Sequence, residues 1–231
     1  MPLPAAPAPF VLIDDARDEG ADPARLYRDP VEIVRADRLD EVAGALDYLR
    51  GARGRGLHAA GFISYEAGFA FEPRLTQLAE AKRDAQSPPL IWFGLFTGYE
   101  NIDPAAVPGV FPVPATNTIA PPRPQIDRAE YDEAFAQVQK LICAGDIYQA
   151  NLSIACDVDV PDDIPALYAA IRSGAKAGHG ALVMTGDHWV LSFSPELFFT
   201  LTDDVVTTRP MKGTALRNNV RAKDDAAAAA L

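Results

Sequence analysis

Apolar positions recur along this chain with two periods. From Asp37 to Arg50, the residues Leu39, Val42, Leu46 and Leu49 return every three or four positions, the spacing of one helical face. A second stretch, IDRAEYDEAFAQVQKLICAG from Ile126, places Tyr131, Phe135, Val138 and Ile142 on one stripe, expected to be buried. Its start is marked by Asp127 as N-cap with Glu130 three residues on, a reciprocal capping box, and by Ile126 and Tyr131 as a staple across the cap. Gly145 can adopt the left-handed conformation that ends a helix. Other segments are rich in aromatic and branched residues and read as strands: LHAAGFISYEAGFAF from Leu57, PLIWFGLFTGYE from Pro89, DIYQANLSIACDVDV from Asp146, and an extended block from Gly180 to Pro210. Within that block TGDH and TDD are turn signals. DDIPALYAAIRSG from Asp162 reads as a short helix whose acidic pair caps it. Helices mixed with hairpins predict an α+β fold of antiparallel sheets packed with outer helices.

Residues 101–125 carry seven prolines, which deny them helix and central-strand roles, so a surface connector is expected there. This gives three segments: an amino-terminal lobe at 1–100, a connector at 101–126, and a further region at 127–231.

Composition narrows the partners. The chain has 231 residues, is 48% hydrophobic and has a net charge of −11. A real core is affordable, whereas a nucleic-acid or anionic-membrane surface would need a basic face. Two cysteines, Cys143 and Cys156, and three histidines show no metal-ligand spacing, and no metal site is assigned. His179 and His188 read as loop residues. Sparse cysteine use suggests a reducing, cytoplasmic setting. The start MPLPAAPAPF lacks a basic region and a long apolar core, and no apolar run is long enough to span a bilayer.

The densest chemistry lies in LSFSPELFFTLTDDVVTTRPMKGT, from Leu191 to Thr214. A turn centred on Asp203 and Asp204 pairs residues whose numbers sum to about 407. Glu196 then lies near position 211 and Lys212 near position 195, on strands about 5 Å apart. A bulge would shift this register by one. Pro195 and Pro210 stop regular pairing, so both side chains sit where the sheet ends. A lysine is nucleophilic only when neutral, which requires burial or neighbouring positive charge, and Arg209 is near enough in sequence to supply it. A glutamate beside it suits general acid/base work on a leaving group. On spacing alone, an exposed ion pair at a strand end remains the other reading.

The same segment resembles the SPE and PIKGT motifs of the chorismate-utilising enzymes, a family that includes anthranilate, isochorismate, salicylate and aminodeoxychorismate synthases. AGDIYQANLS resembles the family's G-D-x-Y-Q-x-N-L segment, and GFISYEAGFAFEP with PLIWFGLF resembles the amino-terminal part of the aminodeoxychorismate synthase component I branch. Anthranilate synthases typically carry alanine where this chain has Lys212. The resemblance implies Lys212 as nucleophile toward chorismate, Glu196 as general acid/base near the C4 hydroxyl, and Gly213, Thr214 and Asn151 as residues near substrate. It further implies Mg²⁺ as cofactor, ammonia from a glutamine amidotransferase partner, and 4-amino-4-deoxychorismate as product, for p-aminobenzoate and folate synthesis. Anthranilate or isochorismate synthesis, and a non-catalytic partner-binding half, are the alternatives.

Two departures qualify the expectation. Met211 stands where the family usually has isoleucine. Some members bind tryptophan near a loop before the SPE strand. The corresponding stretch here, GAKAGHGALVM, differs, so no tryptophan site is assigned, and Asp14 and Asp15 are read as a strand-end turn. Family members also continue through a further region carrying the magnesium-binding glutamates and basic residues for the substrate carboxylates. The chain is therefore expected to be an amino-terminal portion, inactive by itself, with apolar surface left open.

Overall fold

The computed structural model describes residues 3, 8–80, 83–84, 87–112, 120–209 and 217–229. Its strands are β1 (Phe10–Asp14), β2 (Ala24–Arg28), β3 (Glu32–Ala36), β4 (His58–Ile63), β5 (Ile91–Phe96), β6 (Glu100–Ile102), β7 (Arg123–Pro124), β8 (Cys156–Asp157), β9 (His179–Met184), β10 (Trp189–Ser194), β11 (Leu197–Thr202) and β12 (Val205–Arg209). Its α-helices are α1 (Leu39–Arg50), α2 (Pro73–Glu80), α3 (Arg128–Ala144), α4 (Ile164–Ala175) and α5 (Arg221–Ala229). All pairings are antiparallel, so the expected mixture of helices and antiparallel sheets holds.

Contacts divide the chain into two units, Met1–Phe111 with Ile171–Leu231, and Pro112–Ala170. The three consecutive segments drawn from sequence follow the chain, whereas this division follows strand pairing. β9 returns to pair with β1, Leu12 opposite Leu182, and so joins the last quarter of the chain to the first.

The first unit holds a five-stranded sheet ordered β10-β9-β1-β2-β6 and a three-stranded sheet ordered β3-β5-β4. β5 is apolar on both faces because both are covered. Ile91 and Leu95 pack with Val34, Ala36, Leu39, Val42 and Ala45, the side that carries α1. Trp92 and Phe96 point the other way, against Val11, Tyr27 and Val183 of the larger sheet and Ala60 of β4. Alternation along one strand thus builds two cores, and α1, the small sheet and the large sheet form three layers. Gly61 fits this packing because a Cβ there would stand 2.0 Å from the Trp92 carbonyl oxygen. The two sheets are also stitched at one edge. Asp187, in the β9–β10 turn, accepts hydrogen bonds from Thr185 Oγ1 at 2.6 Å and Arg35 Nη1 at 2.8 Å. These hold its carboxyl well below the usual carboxylate range.

The predicted face of α1 is real, with Leu39 and Val42 buried and Leu46 and Leu49 packed at the margin. Glu41 accepts from the backbone N–H groups of Asp37 and Arg38, satisfying donors at the helix start. The continuous strand expected over 57–71 is instead two elements, β4 and a 3-10 helix at Tyr65–Phe71. The expected surface connector is also partly core, since Val107, Val110 and Phe111 are buried. Their short 3-10 turn keeps prolines compatible with burial, and β6 lies at a sheet edge as the following prolines require.

In the second unit, α3 begins and ends as predicted. Asp127 accepts from the Glu130 N–H at 2.9 Å, Glu130 accepts from the Asp127 N–H at 2.8 Å, and Gly145 has φ 79°. Its apolar stripe is not buried, and Phe135 is 47% exposed. The strand expected over 146–160 shrinks to the pair β7–β8, where Arg123 faces Asp157 and its guanidinium grips Asp159 at 2.7 and 2.8 Å. α4 spans the division between the units and is capped by Asp163, which accepts from the Ala166 N–H at 3.0 Å.

Candidate active site

Asp203 and Asp204 both adopt left-handed backbone, φ 48° and 64°, as a two-residue type I′ hairpin turn requires. The pairs Thr202–Val205, Leu201–Val206 and Thr200–Thr207 follow the predicted sum of 407. The register then slips by one, and Leu197 faces Arg209. The slip is a bulge in β11, and bulges re-aim side chains at sheet ends. Glu196 immediately precedes the last pair on one strand, and Arg209 closes the other. The Ser194–Pro195–Glu196 corner is tied locally. The Glu196 N–H donates to Ser194 Oγ at 3.2 Å, and that hydroxyl donates to the Glu196 carbonyl at 3.0 Å. Pro195 lies between β10 and β11, where the chain leaves the large sheet for the separate hairpin.

Glu196 is exposed and lines a shallow cavity of ≈ 350 Å³ with Ser194, Leu197, Phe198 and Thr208. Lys212, Gly213 and Thr214 lie outside the described residues. Asn151 belongs to the second unit, in irregular chain, and is exposed, as are Tyr148 and Gln149. The strand alternation expected to sort Tyr148 from Gln149 and Asn151 therefore does not operate, because no ladder forms there.

A larger cavity, ≈ 890 Å³, lies within the first unit and shares Leu197 with the shallow one. Leu197, Thr200, Thr207 and Arg209 form one wall, and Asp14, Arg17, Arg25 and His179 are among the residues of the rest. Asp14 ends β1 and Asp15 follows it, at the strand end as expected, but both are buried, at 2% and 6% exposed. Arg172 of α4 clamps Asp14, its Nε 2.6 Å and Nη2 3.0 Å from the two carboxylate oxygens. Asp15 accepts from the Arg17 guanidinium, with Nε at 2.9 Å, and from the Asp22 N–H at 2.9 Å. Burial opposes its charge, but these hydrogen bonds outweigh burial and hold its carboxyl at about 2. His179 is a strand residue of β9, not a loop residue. The signal available in sequence was the acidic pair followed closely by Arg17. The partner Arg172 stands 158 residues away and gives no local sign.

Among the described residues, no group of three or more His, Cys, Asp or Glu is arranged to hold a metal ion. Among them, too, no helix is long and apolar enough to cross a membrane.

Residues 11–231 match the family described as chorismate binding enzyme. The chain belongs to that family. The matched range includes the β10–β12 segment and the residues lining the large cavity. Aminodeoxychorismate synthase component 1 of Salmonella typhimurium is 37% identical over 92 residues, 40% of this chain and 20% of that protein. The protein of the same name from Klebsiella aerogenes is 35% identical over 107 residues, 46% of this chain and 24% of that protein. Anthranilate synthase component 1 1 of Halobacterium salinarum is 35% identical over 91 residues, 39% of this chain and 17% of that protein. The matched stretches thus span about a quarter or less of the length of these relatives.

Proposed function

We propose that this chain serves the amination of chorismate at C4, the reaction of an aminodeoxychorismate synthase component I. The single observation that carries the reading is the Leu197–Arg209 pairing, which brings Glu196 and the strand leading to Lys212 to one end of one hairpin. In this reading Arg209 adds positive charge that favours the neutral, nucleophilic form of the Lys212 amine. The amine forms a bond to the chorismate ring while the C4–O bond breaks. Glu196, as its carboxylic acid, gives the departing hydroxyl a proton, and water leaves. Ammonia then attacks C4, the ring–lysine bond breaks to restore the Lys212 amine, and the new ammonium nitrogen returns a proton to the Glu196 carboxylate. The sum is chorismate plus ammonia giving 4-amino-4-deoxychorismate and water. Gly213, Thr214 and Asn151 are assigned to substrate contact. Ammonia from a glutamine amidotransferase, Mg²⁺ and a cytoplasmic setting belong to the same proposal; no step is assigned to the ion.

The test is mass spectrometry after co-expression with a complementary carboxyl-terminal region and incubation with chorismate, with and without ammonia and Mg²⁺, since the chain is expected to be inactive by itself. A chorismate-derived adduct on the peptide containing Lys212, lost in Lys212→Ala, supports the nucleophile. Aminodeoxychorismate as product supports the branch, and anthranilate or isochorismate overturns it. The second reading, anthranilate synthesis, is favoured by the Halobacterium salinarum relative, whose identity is close to that of the aminodeoxychorismate synthases. Lys212 in place of the alanine typical of that branch weighs against it.

A further inference from the structure

We draw no further inference here: the strongest candidate, the exposed apolar surface of the β11–β12 hairpin around Phe198, Leu201 and Val206, is an unpartnered face, and nothing in the structure shows what covers it.

Discussion

β5 and the β11–β12 hairpin are built from the same kinds of residue and meet opposite fates. IWFGLF and LFFTLT differ little in apolar content, yet Trp92 and Phe96 are fully buried while Phe198 is 85% exposed and Leu201 59%. β5 lies between two strands in its sheet and between α1 and a second sheet above and below it. The hairpin has two strands and, among the described residues, no third. Apolar pattern states a capacity for burial, and the number of covering layers decides whether that capacity is used. α3 makes the same point, with sound caps at both ends and no buried residue between them.

The contrast is sharpest in its extremes. Trp92→Ala should cost about 3–5 kcal/mol, the range for large aromatic truncation in a core, and urea unfolding reads it directly. A loss below 1 kcal/mol would mean that β5 is not the centre of the unit. Arg172→Ala should cost nearly as much, about 3–5 kcal/mol, because it takes the guanidinium away from the buried Asp14 carboxylate. Replacing both partners, Asp14→Leu with Arg172→Met, should recover most of that loss; failure to recover would assign the effect to packing around α4.

The next effect is a pH dependence. The carboxyl of Asp15 is lowered to about 2 from an ordinary 3.8, so its stabilisation is complete above 3.8 and is lost as pH falls toward 2. The expected loss is about 2 kcal/mol. Unfolding free energy measured across that interval should fall less steeply in Asp15→Asn than in the unaltered chain. Smaller still, Asp127→Ala should cost about 1 kcal/mol by removing the α3 cap. At the far end, Phe198→Ser should change stability by less than about 0.5 kcal/mol, since an exposed ring leaves little to lose. A loss as large as that of Trp92→Ala would show that the hairpin is covered in solution and would end the comparison.

What could be read from the sequence was local. The capping box of α3, its glycine stop and the 407 register of the hairpin depend on residues within a few positions of one another, and the structure reproduces them. The slip at Leu197–Arg209 has no local marker in the sequence. The break after β4 has no local sign because aromatic residues suit a strand and a short 3-10 turn alike. The large cavity was missed for a related reason. Asp15 is set locally by Arg17 and Asp22, but Asp14 is set by Arg172, far away in the chain, and an acidic pair beside a strand reads the same whether it faces water or Arg172. Of the candidate site, the meeting of Glu196 with the end of β12 was legible, while the wall of Asp14, Arg17 and His179 was not.

The pairing of β1 with β9 has a consequence in time. β1 leaves the ribosome well before its neighbour β9, whose Gly180 stands opposite Asp14. At ~5–20 residues per second, that interval is on the order of ten to thirty seconds. During it Phe10, Val11 and Leu12 have one flank of their sheet without its strand. The large sheet therefore waits for β9, and a pause between Asp14 and Gly180 lengthens the period in which its central strand is open to wrong pairing.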